Sequence, residues 1–123
     1  MVKRRSKTIL CIGNDPVHLN LRCALIRKNG WEVVSAASGH EGVLRFGQEG
    51  VDAVVVDLNN GGAEAALITG ELKRLRPEVP VILLVADEKS LANGVTQQAN
   101  VVIAKSLEES KLVDALRALL DTR

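Results

Sequence analysis

Two charged residues stand where apolar runs break off. Asp57 follows Ala53–Val56 directly, and Lys105 follows Val101–Ala104. A carboxylate facing an ammonium across the ends of two strands suits phosphoryl chemistry. The carboxylate can attack a phosphoryl donor, and the ammonium can neutralise the product oxygens. The turn after Asp57 (Asn59, Asn60, Gly61, Gly62) is permissive and would let the backbone approach a ligand. Residue type alone also allows a blander pairing, a turn aspartate and a surface lysine.

The elements that would position these residues alternate regularly. Thr8–Ile12, Glu32–Ala36, Ala53–Val56, Val81–Val85 and Val101–Ala104 read as five strands. The third and fourth are continuous in apolar residues, which predicts burial on both faces. Between them lie helical patterns. Asp15-Pro16 is a start signal and Asn29-Gly30 a stop, so Pro16–Asn29 reads as a helix with Val17, Leu21, Ala24 and Leu25 on its apolar face. Ser38 and Glu41 have capping-box spacing and open a second helix through Phe46. Ala65, Ile68, Leu72 and Leu75 mark a third, ending before Pro77. Glu88–Gln98 is the weakest, with Asn93-Gly94 in its middle and only Leu91 and Val95 as a stripe, and it is expected to be the most mobile element. Leu112, Ala115, Leu116, Leu119 and Leu120 follow the helical period closely in the last helix. Strict alternation with short connections implies right-handed crossovers and an open, doubly wound α/β parallel sheet with helices on both faces. In such sheets function gathers at the carboxyl ends of the strands.

Composition narrows the rest. The chain has 123 residues, 46% hydrophobic and 25% charged, which is globular composition for one domain. Residues 1–7, with Lys3, Arg4, Arg5 and Lys7, read as a loose basic tail before a domain at 8–123. Sixteen basic and 15 acidic residues leave a net charge of +1, and Trp31 and Phe46 are the only aromatics. Neither feature favours direct nucleic-acid binding. The longest apolar run, Val81–Ala86, is far short of the roughly 20 residues a membrane span needs, and Ile9–Ile12 is too short for a secretory segment. The expected location is the cytoplasm. Cys11 and Cys23 do not suggest a disulfide framework or zinc site, and His18 and His40 read as surface or capping residues. There is no dinucleotide fingerprint, P-loop or nucleophile elbow.

At the strand ends the sequence resembles the receiver domain of bacterial two-component response regulators. The resemblance covers residues 8–120 and is carried by TILCIGNDP, DAVVVDLNNGG, VPVILLVADE and VVIAKSLEE. It implies the flavodoxin-like fold with strand order 2-1-3-4-5, Asp57 as phosphoacceptor and Lys105 as the phosphate-facing lysine. It also implies departures. The family's Mg²⁺-holding acidic pair falls on Gly13 and Asn14, its Ser/Thr on Val85, its mobile aromatic on Val102 and its proline on Ser106. Mg²⁺ would then rest on Asp57, with Asn59 and, in a slipped register, Asp15 as further candidate ligands. Asp15 also serves simply as the helix cap. Such a set binds Mg²⁺ weakly or not at all, and leaves Lys105 alone to offset charge on a phosphoryl group. A cis peptide before Ser106 would cost about 3–4 kcal/mol, so Lys105–Ser106 is expected to be trans.

The leading expectation is therefore a receiver with a degenerate site. It would signal by contact with a sensor histidine kinase or other signalling protein, with at most slow phosphorylation at Asp57. A phosphorylation-competent receiver is the alternative. A small flavodoxin-like ligand-binding protein or enzyme using the Asp57–Lys105 cleft is a third reading from another class. The face formed by the fourth helix, fifth strand and last helix, with Lys89, Asn93, Val101 and the charges Glu109, Lys111, Asp114 and Arg117, is a candidate homodimer or partner surface. No output domain follows the last helix within these residues. The sequence leaves open whether the chain stands alone or was cut from a longer protein.

Overall fold

The β-branched runs form strands because their side chains fit a pleated surface covered on both sides. The computed structural model describes residues 6–58, 63–86 and 98–121. Its elements are β1 (Thr8–Gly13), α1 (Pro16–Lys28), β2 (Glu32–Ala36), α2 (Gly39–Gln48), β3 (Ala53–Asp57), α3 (Ala63–Leu75), β4 (Val81–Val85), β5 (Val101–Ala104), a 3₁₀ turn (Lys105–Leu107) and α4 (Glu108–Leu120). All strand pairs are parallel, in the order β2-β1-β3-β4-β5. The expected helix at 88–98 lies, apart from Gln98, outside the described residues, as do Asn59, Lys89 and Asn93.

Strand parity sorts the interior into two cores. Leu10, Ile12, Val54, Val56 and Leu83 join Phe46, Ala65 and Leu72 on the α2–α3 side. Ile9, Cys11, Ala53, Val55, Leu84 and Ile103 join Leu19, Ile26, Leu112 and Leu116 on the α1–α4 side. Successive side chains point to opposite faces, so Asp57, two residues after Val55, shares the α1–α4 side.

Caps follow the sequence signals. Asp15 Oδ1 accepts from the backbone N–H of Val17 and His18, at 3.1 and 3.4 Å. Ser38 Oγ accepts from Glu41 N at 3.1 Å, while Glu41 Oε1 accepts from Ala37 N at 2.8 Å. Gly30 has a φ of 101° after α1, a backbone conformation costly for residues with a Cβ.

One expectation fails. α1 does not bury Val17, Leu21, Ala24 and Leu25. It buries Leu19, Arg22, Cys23 and Ile26, leaving Val17 at 65% and Leu21 at 64% exposure. Both stripes have helical spacing, and the one that turns inward carries the arginine whose partners lie at the strand ends. The same rotation brings Cys23 into a hydrogen bond with Cys11 on β1, both as free thiols. That bond lowers the Cys23 pKa to about 7, while the same bond and burial push Cys11 up. On α3, Leu75 is likewise exposed rather than buried, whereas Thr69 is buried.

Two glycines of α2 make the packing testable. A Cβ at Gly42 would meet Ile12 Cδ1 at 2.4 Å and Cγ1 at 2.7 Å, whereas one at Gly47 would meet nothing within 4 Å. Gly42→Ala is expected to destabilise the fold by about 1–3 kcal/mol through overpacking. Gly47→Ala should stabilise it by about 0.5–1 kcal/mol through helix propensity. Urea unfolding of the two variants checks the opposite signs. Equal effects would show that α2 can shift away from β1.

Candidate functional site

Four charged side chains meet at the carboxyl end of the sheet. Asp57 closes β3 and is 2% exposed. The chain leaves β5 directly into the 3₁₀ turn, so Lys105 and Glu108, three residues apart, lie on one side of it. Lys105 Nζ stands 2.5 Å from Asp57 Oδ1. From the other side Arg22 reaches in from the buried stripe of α1. Its Nη2 donates to Asp57 Oδ2 at 2.9 Å and to Glu108 Oε1 at 3.0 Å, and its Nε donates to Glu108 Oε2 at 2.5 Å. Two carboxylates thus face two cations. Burial draws the Arg22 pKa down, but the hydrogen bond and charge of Glu108, then those of Asp57, outweigh it and leave it raised.

Asp57 and Lys105 are brought together as the sequence suggests. Gly13 pairs with Asp57 across β1 and β3, so no side chain projects from β1 at that point. Asn14 is exposed beyond it. Asp15 spends its carboxylate on the α1 N-terminus and on His18 Nδ1 at 3.2 Å. Val85 and Val102 pack with the α2–α3 core, on the side of the sheet away from the charged cluster. The Lys105–Ser106 peptide is trans, as expected.

Arg22 and Glu108 escaped the sequence reading, and they correct it. Lys105 is not alone against Asp57, because a buried guanidinium shares the task. The available signal was the second helical stripe Leu19, Arg22, Cys23, Ile26, in which one arginine among apolar residues calls for an anion.

Among the described residues the donor set does not fit Mg²⁺. A hard divalent ion takes oxygen ligands, and usually one or two carboxylates in such sites. Here the position beside Asp57 is a glycine, and the nearest charged neighbours on α1 and after β5 are cations. Among the described residues no three His, Cys, Asp or Glu side chains are arranged to hold a metal.

Beside the cluster an open groove of ≈ 500 Å³ runs between α1 and α4, lined by His18, Leu21, Leu25, Lys105, Ser106 and Glu109 among others. The exposed Leu21 lies on it.

Residues 9–117 match the response regulator receiver domain. The chain belongs to that family. The family is one of signalling domains rather than of catalytic enzymes. Among known receivers, TrrA from Thermotoga maritima, solved in complex with Mg²⁺-BeF, superposes with a TM-score of 0.85 at 24% identity, covering 93% of this chain and 99% of that one. Protein PilH of Pseudomonas aeruginosa (strain PAO1) is 26% identical over 116 residues, 91% of this chain and 96% of that protein. The transcriptional regulatory protein GlrR of Escherichia coli (strain K12) is 33% identical over 78 residues, 63% of this chain. The chain matches only 18% of GlrR's own length. This receiver therefore has the five-stranded architecture of its family. Among its described residues no helix is long and apolar enough to cross a membrane.

Proposed function

We propose that this receiver works as a contact-signalling module in a two-component pathway, with weak or no Mg²⁺-dependent phosphorylation at Asp57. The observation that carries this is the double engagement of Asp57: one oxygen is held by Arg22 and the other faces Lys105. A carboxylate attacks through a free oxygen lone pair. Here attack must displace an ion pair at a residue almost sealed from solvent. Lys105 can still neutralise one phosphoryl oxygen, so slow modification by a small phosphodonor is compatible with the site, and efficient transfer is not.

The groove between α1 and α4 supports the partner side of the reading. Leu21 and Leu25 offer apolar contact, and His18, Lys105 and Glu109 rim it with both signs of charge. Aliphatic anchors within a polar rim are what a protein partner requires. TrrA has been solved in complex with the histidine kinase ThkA. A histidine kinase or another cytoplasmic signalling protein is accordingly the partner proposed for this chain. A second copy through β5 and the exposed face of α4 is the alternative contact.

The test is a titration with Mg²⁺ and beryllofluoride, followed by Trp31 fluorescence and amide NMR. The expected result is no saturable shift around Asp57 at millimolar metal. Saturable, metal-dependent shifts that vanish in Asp57→Asn would establish a working phosphoacceptor and end this reading.

A further inference from the structure

Arg22 uses two of its three nitrogens on Asp57 and Glu108. The third, Nη1, is buried and has no hydrogen-bond partner among the described residues. A Cβ built on Gly13 would lie 3.6 Å from it, and 3.5 Å from its other nearest neighbours, which is ordinary contact. Gly13 is also the residue paired with Asp57 across the sheet. The unsatisfied arm of the guanidinium therefore looks at the place where a carboxylate is missing. An unpaired donor on a buried cation is costly, so its direction is informative.

We propose that Arg22 is the resident cation of this site. Its guanidinium occupies the space beside Asp57 that a divalent ion would need, and it excludes that ion by charge and volume. The missing acidic residues are then only half of the change. This rests on the reading of Asp57 as an ion-paired rather than a metal-assisted residue. It adds that the metal and Arg22 compete for one position.

Removing Arg22 alone strands two carboxylates, so the test varies position 13 as well. Thermal unfolding of the full chain is compared in EDTA and in excess MgCl₂ for Gly13→Asp and Gly13→Asn, each with and without Arg22→Met. The two substitutions at 13 have nearly the same shape and differ in charge. With Arg22 present, Gly13→Asp is expected to melt above Gly13→Asn in EDTA, because it gives Nη1 a charged partner, and MgCl₂ should add little. With Arg22→Met the order reverses in EDTA. MgCl₂ then raises the melting temperature of Gly13→Asp/Arg22→Met, with an apparent affinity roughly tenfold or more above that of Gly13→Asp. If the double variant is unfolded in EDTA, recovery of its folded signal on adding MgCl₂ reads the same competition.

Three results overturn the inference. Gly13→Asn could melt above Gly13→Asp while Arg22 is present. Gly13→Asp could respond to MgCl₂ equally with and without Arg22. The double variant could fail to respond at all. A Mg²⁺ response of the unaltered chain would instead remove the reading on which the inference rests, so the two failures are distinguishable.

Discussion

Arg22→Ala is expected to cost the domain about 3–5 kcal/mol, measured by urea unfolding. Removing one member of a buried ion pair leaves its partner charged and desolvated, and that penalty is of this size. Here two partners are stranded. Asp57 is 2% exposed and would keep only Lys105, while Glu108 would lose both of its bonds to the guanidinium. Arg45 supplies the contrast. It pairs with Glu41 at 3.6 Å and Glu49 at 3.8 Å on the surface of α2. Exposed pairs of this kind contribute about 0.3–0.5 kcal/mol, so Arg45→Ala should change little. Arg22→Lys keeps a charge but reaches only one partner well, and should recover a minor part of the loss. The effects of Arg22→Ala and Glu108→Gln should be strongly non-additive, because the first already removes the bond the second weakens. A loss below about 1 kcal/mol for Arg22→Ala would put the buried bridge on the footing of a surface pair, and the geometry would then have no energetic weight.

Asp57→Asn is expected to destabilise the fold by about 2–3 kcal/mol. The sign carries the information. In a pocket with surplus carboxylates, neutralising one relieves repulsion and raises the melting temperature. In this pocket Asp57 and Glu108 balance Arg22 and Lys105, so the same change leaves two cations against one anion. The amide oxygen can still accept from Arg22, which keeps the loss below that of Arg22→Ala. Lys105, at 26% exposure, can also turn part of its charge toward water. The loss should persist in high salt, because buried pairs are screened much less than exposed ones. A melting temperature above that of the unaltered chain would mean that the carboxylates are in surplus after all.

Much of the architecture was legible because its signals are local. β4 and β5 begin and end where the apolar runs do, β2 spans the residues expected of it, and the caps at Asp15 and Ser38 sit where short-range hydrogen bonding demands. β1 and β3 each run one residue further than the apolar count, taking in Gly13 and Asp57. Half of the charged cluster was legible for the same reason, since Asp57 and Lys105 mark the ends of strands. The other half was not. Counting apolar residues turned α1 with Val17 and Leu21 inward, because the rival stripe of Leu19, Cys23 and Ile26 carries an arginine that weighs against burial. What overrules it is Asp57, 35 positions from Arg22, and Glu108, 86 positions away. A helix stripe containing an arginine is buried only when the anions that receive it are supplied by remote parts of the chain. A sequence window cannot see them.

The same separation gives the site a place in time. While the chain is being synthesised, β1, α1 and β3 emerge long before Lys105 and Glu108, and β5 joins the sheet at its edge, beside β4. A nascent domain made only as far as residue 100 can hold Asp57 against Arg22, but it lacks both remaining charges. The balance of two anions and two cations is reached only when the last strand and the last helix dock. Closing so long a loop is the entropically slow part of assembly. The charged cluster is thus completed only when β5 and α4 have joined the rest of the domain, and its full strength is a property of the whole domain.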